Sequence, residues 1–363
     1  MKHLTLILVV LVLLTLGWMI PACRPAHYDS METAAALPIG EPVELASPLG
    51  LPPIPVPGDN PSTAETIELG RRLFYDTHLS VDDTISCASC HNPDFGFSDG
   101  ESVSEGVNGQ KGGRNAPTVF NAAFYTSQFW DGRSPSLEDQ AAGPVQNPIE
   151  MAHTLDEVEK TLAADPSYRA LFEKAFGPRP IRYEMVGKAI AAFERTVVSG
   201  NSPFDRYFYR GDETALSKAS RRGLEIFRNP EKGNCTACHV VGLFTDNLFH
   251  NIGVGVGDDG ELTDLGRFDV TGKDSDRGAF KTPSLRNIAL TAPYMHDGSL
   301  KTLAEVIDFY VGGGNSNPHL SPQLKVLSPL TETGEENWSR ADLEAFLEAL
   351  TGEIPTEVGP PPL

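Results

Sequence analysis

Two five-residue stretches, Cys87–His91 and Cys235–His239, constrain this chain more than anything else in it. Both read C-x-x-C-H. That is the attachment signal for a c-type haem: two thiols bond to the porphyrin, and the adjoining histidine is delivered to one face of the iron. A redox C-x-x-C needs no following histidine, and a zinc ribbon sets its two pairs about 15–20 residues apart. Here the pairs stand far wider, and each carries its histidine. Two covalently bound haem c groups are therefore expected, one on Cys87, Cys90 and His91 and the other on Cys235, Cys238 and His239.

The chain is long enough for two domains at roughly 150 residues each. An apolar content of 40% with 21% charged residues is that of a globular protein. The formal charge of −20 argues against nucleic acid as a partner. It suits a protein that meets small basic redox partners. Residues 1–22 have the order of a secretory signal: Lys2, an apolar run from Leu4 to Ile20, then small residues. Cys23 sits where a lipoprotein signal places its acylated residue, although Pro21 is an awkward neighbour for that processing. The expected location is the periplasm, with membrane contact only through such an anchor. No later run approaches the 18 apolar residues of a membrane span. Four of the five cysteines go to haem, so no disulfide framework remains.

Residues 23–61 are Pro-rich and read as an extended linker. Ser62 with Glu65 forms a capping-box pattern, and the helix that follows carries Ile67, Gly70, Leu73 and Phe74 on one face. The form Gly-x-x-aliphatic-Phe occurs at Gly70–Phe74 before the first haem motif and again at Gly223–Phe227 before the second. A glycine repeated on a helix face predicts a second helix crossing closely there. Segments 189–198 and 341–350 are the candidate partners. The plan is opening helix, C-x-x-C-H, loops and closing helix, used twice. The expected fold is mainly α, with two cytochrome c-like domains over residues 62–205 and 206–355, long loops, few strands and a tail at 356–363.

Several blocks specify more. Arg114–Thr118, Gln128–Arg133, Gly143–Pro148 and Pro293–Gly298, together with the paired haem motifs, resemble the bacterial di-haem cytochrome c peroxidases, a family that includes the MauG proteins. The resemblance runs from about residue 62 to 352. It implies that the N-terminal haem, with His91 as proximal ligand, is the peroxide site, and that the C-terminal haem on His239 transfers electrons. It further implies that Glu150 is the distal acid–base group, that Gln140 and Pro144 line its pocket, and that Trp130 lies on the electron path between the haems. Asn115, with the backbone of Thr291 and Pro293, would hold a calcium ion, for which oxygen ligands are suited.

Two positions depart from the commoner members. Where those members carry a histidine that blocks the peroxidatic iron, this chain has Val107, so that iron is expected to be open to peroxide. Where they carry a methionine on the second haem, it has Tyr310. Leu303, Val306, Ile307 and Tyr310 share one helix face. MauG proteins have tyrosine at that position, and a tyrosinate stabilises high-valent iron where methionine raises the potential. Met295 is the rival ligand. His78 and His153 read as loop or surface residues, and His250 and His296 as neighbours of the second haem.

The implied function is a peroxidase reducing hydrogen peroxide with electrons from a small c-type cytochrome or cupredoxin. An alternative is a MauG-like enzyme whose two haems, both formally Fe(IV), oxidise Trp or Tyr side chains of a partner protein. A third is a plain di-haem electron-transfer cytochrome.

Overall fold

Helix α1, Ala64–Phe74, opens the N-terminal half. Its cap is Thr63, whose hydroxyl accepts from Thr66 N–H while the Thr66 hydroxyl accepts from Thr63 N–H. The capping box expected from Ser62 and Glu65 is thus displaced by one residue. A β-branched hydroxyl pair does the same chemistry, both threonines being buried. The computed structural model describes residues 36–257, 259–324 and 339–361. The signal region and Cys23 lie outside the described residues. Among them no helix is long and apolar enough to cross a membrane.

Among the described residues seven further helices of eight residues or more follow. They are α2 (Leu155–Ala164), α3 (Pro166–Phe176), α4 (Tyr183–Glu194), α5 (Pro203–Arg210), α6 (Lys218–Arg228), α7 (Leu303–Val311) and α8 (Arg340–Glu348). Among the described residues strands are confined to β1 (Phe249–His250) and β2 (Phe280–Lys281), paired antiparallel with Phe249 opposite Lys281. The fold is mainly helical, the remainder being loops and single turns.

Both predicted crossings exist. A Cβ on Gly70 of α1 would run into the carbonyl oxygen of Ala189 on α4, and one on Gly223 of α6 would run into that of Asp342 on α8. The closing helices start and stop earlier than expected, at 183–194 and 340–348. Each crossing seeds its own hydrophobic cluster. The first gathers Leu69, Leu73, Phe74, Phe97, Phe120, Phe176 and Phe193. The second gathers Phe204, Phe227, Phe244, Ile307 and Phe346.

The duplication reaches well beyond the helices. Asn121 and Asn287 are both left-handed and each opens a 3-10 turn, 122–124 and 288–290. Phe129 and Met295 are left-handed, as are Gly132 and Gly298. Bridges Gln128–Ser134 and Tyr294–Leu300 close the two loops. Ser136 and Thr302 then cap the next helices. Every one of these pairs is separated by the same interval in the chain. The two halves meet reciprocally: Asn115 N–H donates to His296 O, and Lys281 N–H to Trp130 O, both at 2.7 Å. Under that interval Asn115 corresponds to Lys281 and Trp130 to His296.

The Pro-rich stretch departs from the expected linker. Over residues 36–61 it lies along the body as a strap. Its carbonyls accept from Lys188 Nζ at Ala36, Asn201 N at Leu49, Arg286 Nη2 at Gly50 and Arg195 Nε at Pro55. The carbonyls of an extended stretch with few N–H groups are free to face such donors, three of which are the buried cations Lys188, Arg195 and Arg286. Residues 358–360 dock as well: Tyr75 donates to Val358 O, and Arg71 to Gly359 O and Pro360 O.

Candidate functional site

Each C-x-x-C-H sits on a short turn, Cys87–Cys90 helical and Cys235–Ala237 3-10. His91 N–H bonds back to Cys87 O, and His239 N–H to Cys235 O, fixing the histidine relative to the first thiol. The Nδ1 atoms then face carbonyl oxygens, Phe97 O at 3.2 Å and Phe244 O at 2.9 Å. A carbonyl can only accept, so Nδ1 carries the proton in both rings. Nε2 keeps its lone pair, which is the tautomer a metal-ligating histidine needs. Burial pushes both imidazoles below their ordinary value, toward the neutral form. Phe97 and Phe244 are themselves fully buried and left-handed, another product of the duplication.

An apolar cavity opens beside Cys235, Cys238 and His239, lined by Leu303, Val306, Ile307 and Tyr310 along one face of α7. The donor set therefore fits a thioether-linked porphyrin with one histidine ligand. Burial pushes the Tyr310 phenol up. Met295, the rival ligand, lines the same cavity. So does His250, whose Nε2 is 2.8 Å from Asp246 Oδ2. His296 is buried and stacked on Phe280 at 3.6 Å. His78, by contrast, is exposed and paired with Asp76.

The first centre is built by a turn that folds back on itself. The helical turn Ala142–Gln146 ends at Asn147, and Met151 N–H returns to Pro144 O while His153 N–H returns to Val145 O. Glu150 sits inside that return. Asn147 Nδ2 donates to Glu150 Oε1 at 2.6 Å, and Asn147 Oδ1 accepts from Ile149 N–H at 3.2 Å. The second bond fixes which end of the amide faces the carboxyl. Burial raises the Glu150 carboxyl above the ordinary carboxylate range, opposed by the Asn147 bond and the Arg133 charge. The Glu150 charge also acts on the Cys90 thiol, which ties it to the first motif.

Val107 lies against the same turn, buried, its N–H on Glu150 O at 2.8 Å. Gly106 allows that approach, since a Cβ there would strike Ile149 O. Pro144 contributes through its carbonyl. Gln140 ends the turn Leu137–Gln140, and among the described residues no hydrogen bond links it to Glu150. Asn147 and Arg133 are the contributors that sequence reasoning missed. Arg133 lies over the Phe129 ring at 3.4 Å with Nη1 on Asp131.

Trp130 spans the meeting of the halves. Its indole N–H donates to Asn115 O at 2.9 Å, its carbonyl accepts from Lys281 N–H, and it lines the second cavity. Asn115 is buried, with Nδ2 committed to Glu101 O. Among the described residues no donor is paired with Asn115 Oδ1 or with the carbonyls of Thr291 and Pro293. These hard oxygens are what a calcium ion takes. Lys281 is buried too. Its Nζ donates to Ser127 O at 2.6 Å and sits 3.9 Å from the Tyr125 ring centre. Burial pushes that amine down to about 7, with Asp131 pulling the other way.

Comparison with known proteins gives a consistent result. A family model described as di-haem cytochrome c peroxidase matches residues 64–214. The methylamine utilization protein MauG of Methylorubrum extorquens is 43% identical over 301 residues, covering 83% of this chain and 82% of that protein. The cytochrome c551 peroxidase of Pseudomonas aeruginosa is 38% identical over 300 residues, covering 81% of each. A crystal structure of a MauG-like protein associated with microbial copper homeostasis superposes with a TM-score of 0.75 at 36% identity, over 86% of this chain and 97% of that one.

Proposed function

The chain belongs to the di-haem cytochrome c peroxidase family, and from that premise we propose that it reduces hydrogen peroxide at the N-terminal centre with electrons relayed through the C-terminal one. A small c-type cytochrome or cupredoxin in the periplasm is the donor. Family membership implies two haem c groups, and it makes the protein a peroxidase-type oxidoreductase. Cys87, Cys90 and His91 hold the first haem; Cys235, Cys238 and His239 hold the second, each within a cytochrome c-like domain, 62–205 and 206–355. The bound haems supply the redox centres at which electrons reach peroxide.

The observation that carries this reading is the placing of Glu150. Its carboxyl is half-buried, tethered by Asn147 and close to the first motif. Held above the ordinary carboxylate range, it can take a proton from incoming peroxide and return one to the leaving oxygen. Val107, which has no ligating atom, leaves room for the substrate on that side. Trp130 is the electron route between the halves. Asn115, with the carbonyls of Thr291 and Pro293, holds calcium where the halves meet. Gln140 and Pro144 shape the pocket.

A second reading, oxidation of Trp or Tyr side chains of a partner protein, is favoured by Tyr310. Under the interval that relates the halves, Tyr310 corresponds to Pro144 on the Glu150 side of the first centre, and Met295 corresponds to Phe129. This supports Tyr310 as the second ligand. One experiment addresses both readings. Steady-state peroxide turnover with reduced cytochrome c should be fast, and Glu150→Gln should slow it about 100-fold or more. Negligible turnover by the parent would favour the protein-oxidising role. Unchanged turnover in the variant would remove Glu150 from catalysis.

A further inference from the structure

Asn115 and Lys281 occupy corresponding places in the two halves, and each donates its backbone N–H to the loop carbonyl opposite. The same interval pairs Thr291 with Tyr125, and Pro293 with Ser127. The expected calcium ligands Asn115, Thr291 O and Pro293 O therefore have an internal counterpart: Lys281, Tyr125 and Ser127. In that counterpart the Lys281 Nζ lies on Ser127 O, the equivalent of Pro293 O, and against the Tyr125 ring.

We propose that the Lys281 ammonium is a covalent stand-in for a calcium ion: the interface has two equivalent cation positions, one filled by metal at Asn115 and the other by the side chain of Lys281. This rests on the calcium reading of Asn115. A buried lysine otherwise lacks a reason to be here. Its carboxylate neighbour Asp131 is already engaged by Arg114 and Arg133, so no ion pair compensates its burial. A cation does have a reason. The loops Tyr125–Gly132 and Thr291–Gly298 turn carbonyl oxygens toward the junction, and these need a positive group to face. An asparagine side chain is uncharged and cannot be the positive group itself, but its oxygen can ligand an ion. A lysine reaches the same spot and excludes one. The two halves have solved one problem in alternative ways.

The test exchanges the residues. Calcium bound per chain is counted by elemental analysis of haem-loaded protein, dialysed at pH 6 where the Lys281 ammonium is present. The parent is expected to hold one ion, Lys281→Asn two, and Asn115→Lys none. The parent count tests the calcium reading by itself; the gain in Lys281→Asn tests the stand-in, whatever the starting count. A folded Lys281→Asn with unchanged haem content and no added calcium overturns the proposal. If Lys281→Asn fails to fold, Asn115→Lys decides the matter. Loss of bound calcium, with a melting temperature no longer lowered by a chelator, supports the proposal. Retained calcium, or a melting temperature that still falls with chelator, overturns it.

Discussion

Replacing Asn147 by leucine should shift the acid limb of the pH–rate profile for peroxide reduction. The sign follows from which form the amide stabilises. Asn147 Nδ2 donates to Glu150 Oε1, and a donor favours the charged carboxylate. Burial already holds the Glu150 carboxyl high, and removing the donor raises it further. A hydrogen bond to a charged group contributes about 1.5–3 kcal/mol, so a shift of about one pH unit or more is expected. The proton-accepting form is then lost at a higher pH than in the parent. Rates measured from pH 4 to 8 check this, and in a Glu150→Gln background the Asn147 change should add nothing. A coincident profile would mean that Asn147 only shapes the turn. At this scale the paired C-x-x-C-H motifs were legible from residue type and spacing, whereas Glu150 was proposed only through the family resemblance, a lone loop carboxylate having no signature of its own. The sequence concealed Asn147, since asparagine in a turn reads as a turn former. Its second role depends on Ile149 N–H fixing the amide's orientation.

At the scale of elements, the glycine pair was legible for a physical reason. A helix tolerates the cost of glycine where a neighbouring backbone leaves no room for a Cβ. Gly70 and Gly223 both meet that condition, against Ala189 O and Asp342 O. Either glycine changed to alanine must part the helices or distort them, and overpacking of this kind typically costs about 1–3 kcal/mol. Denaturant melts of the haem-loaded protein should show a loss in that range for each. A gain, as expected for an exposed helical glycine, would mean that the crossing is looser than described. The wider duplication was much harder to see. It runs through left-handed backbone at Phe129 and Met295 and through N–H donors of Asn115 and Lys281, pairs that share no side-chain chemistry. The trace in residue identity is partial: Asn121 and Asn287, and Gly132 and Gly298, are identical pairs, but the positions between them mostly differ. The capping of α1 shows the same limit, since Thr63 with Thr66 performs what Ser62 with Glu65 was expected to do.

Across the whole molecule the strap is one tie between the halves, beside direct contacts such as Arg114 on Asp264 and Arg267 on the carbonyls of Asp131 and Gly132. Proline-rich composition reads as a free linker because prolines have no N–H to pair. The reading fails here because buried cations take up the carbonyls. Arg286 is the centre of that arrangement. It is fully buried, bidentate on Asp205, and donates to Gly50 O of the strap and Gly242 O of the second half. Asp205 in turn caps α5 through Ser202. Removing one member of a buried pair strands the other, at a cost of about 3–5 kcal/mol, whereas replacing both by apolar groups can be nearly neutral. Arg286→Met should therefore destabilise strongly and release the strap, read as new protease cleavage within residues 40–60. Pairing it with Asp205→Leu should recover much of the stability. It should not restore protection of the strap, because Gly50 O still lacks its donor. Two outcomes separate the contributions: recovered stability with an open strap assigns the docking to the Arg286–Gly50 bond, while recovered protection would assign it to the remaining contacts at Ala36, Leu49 and Pro55.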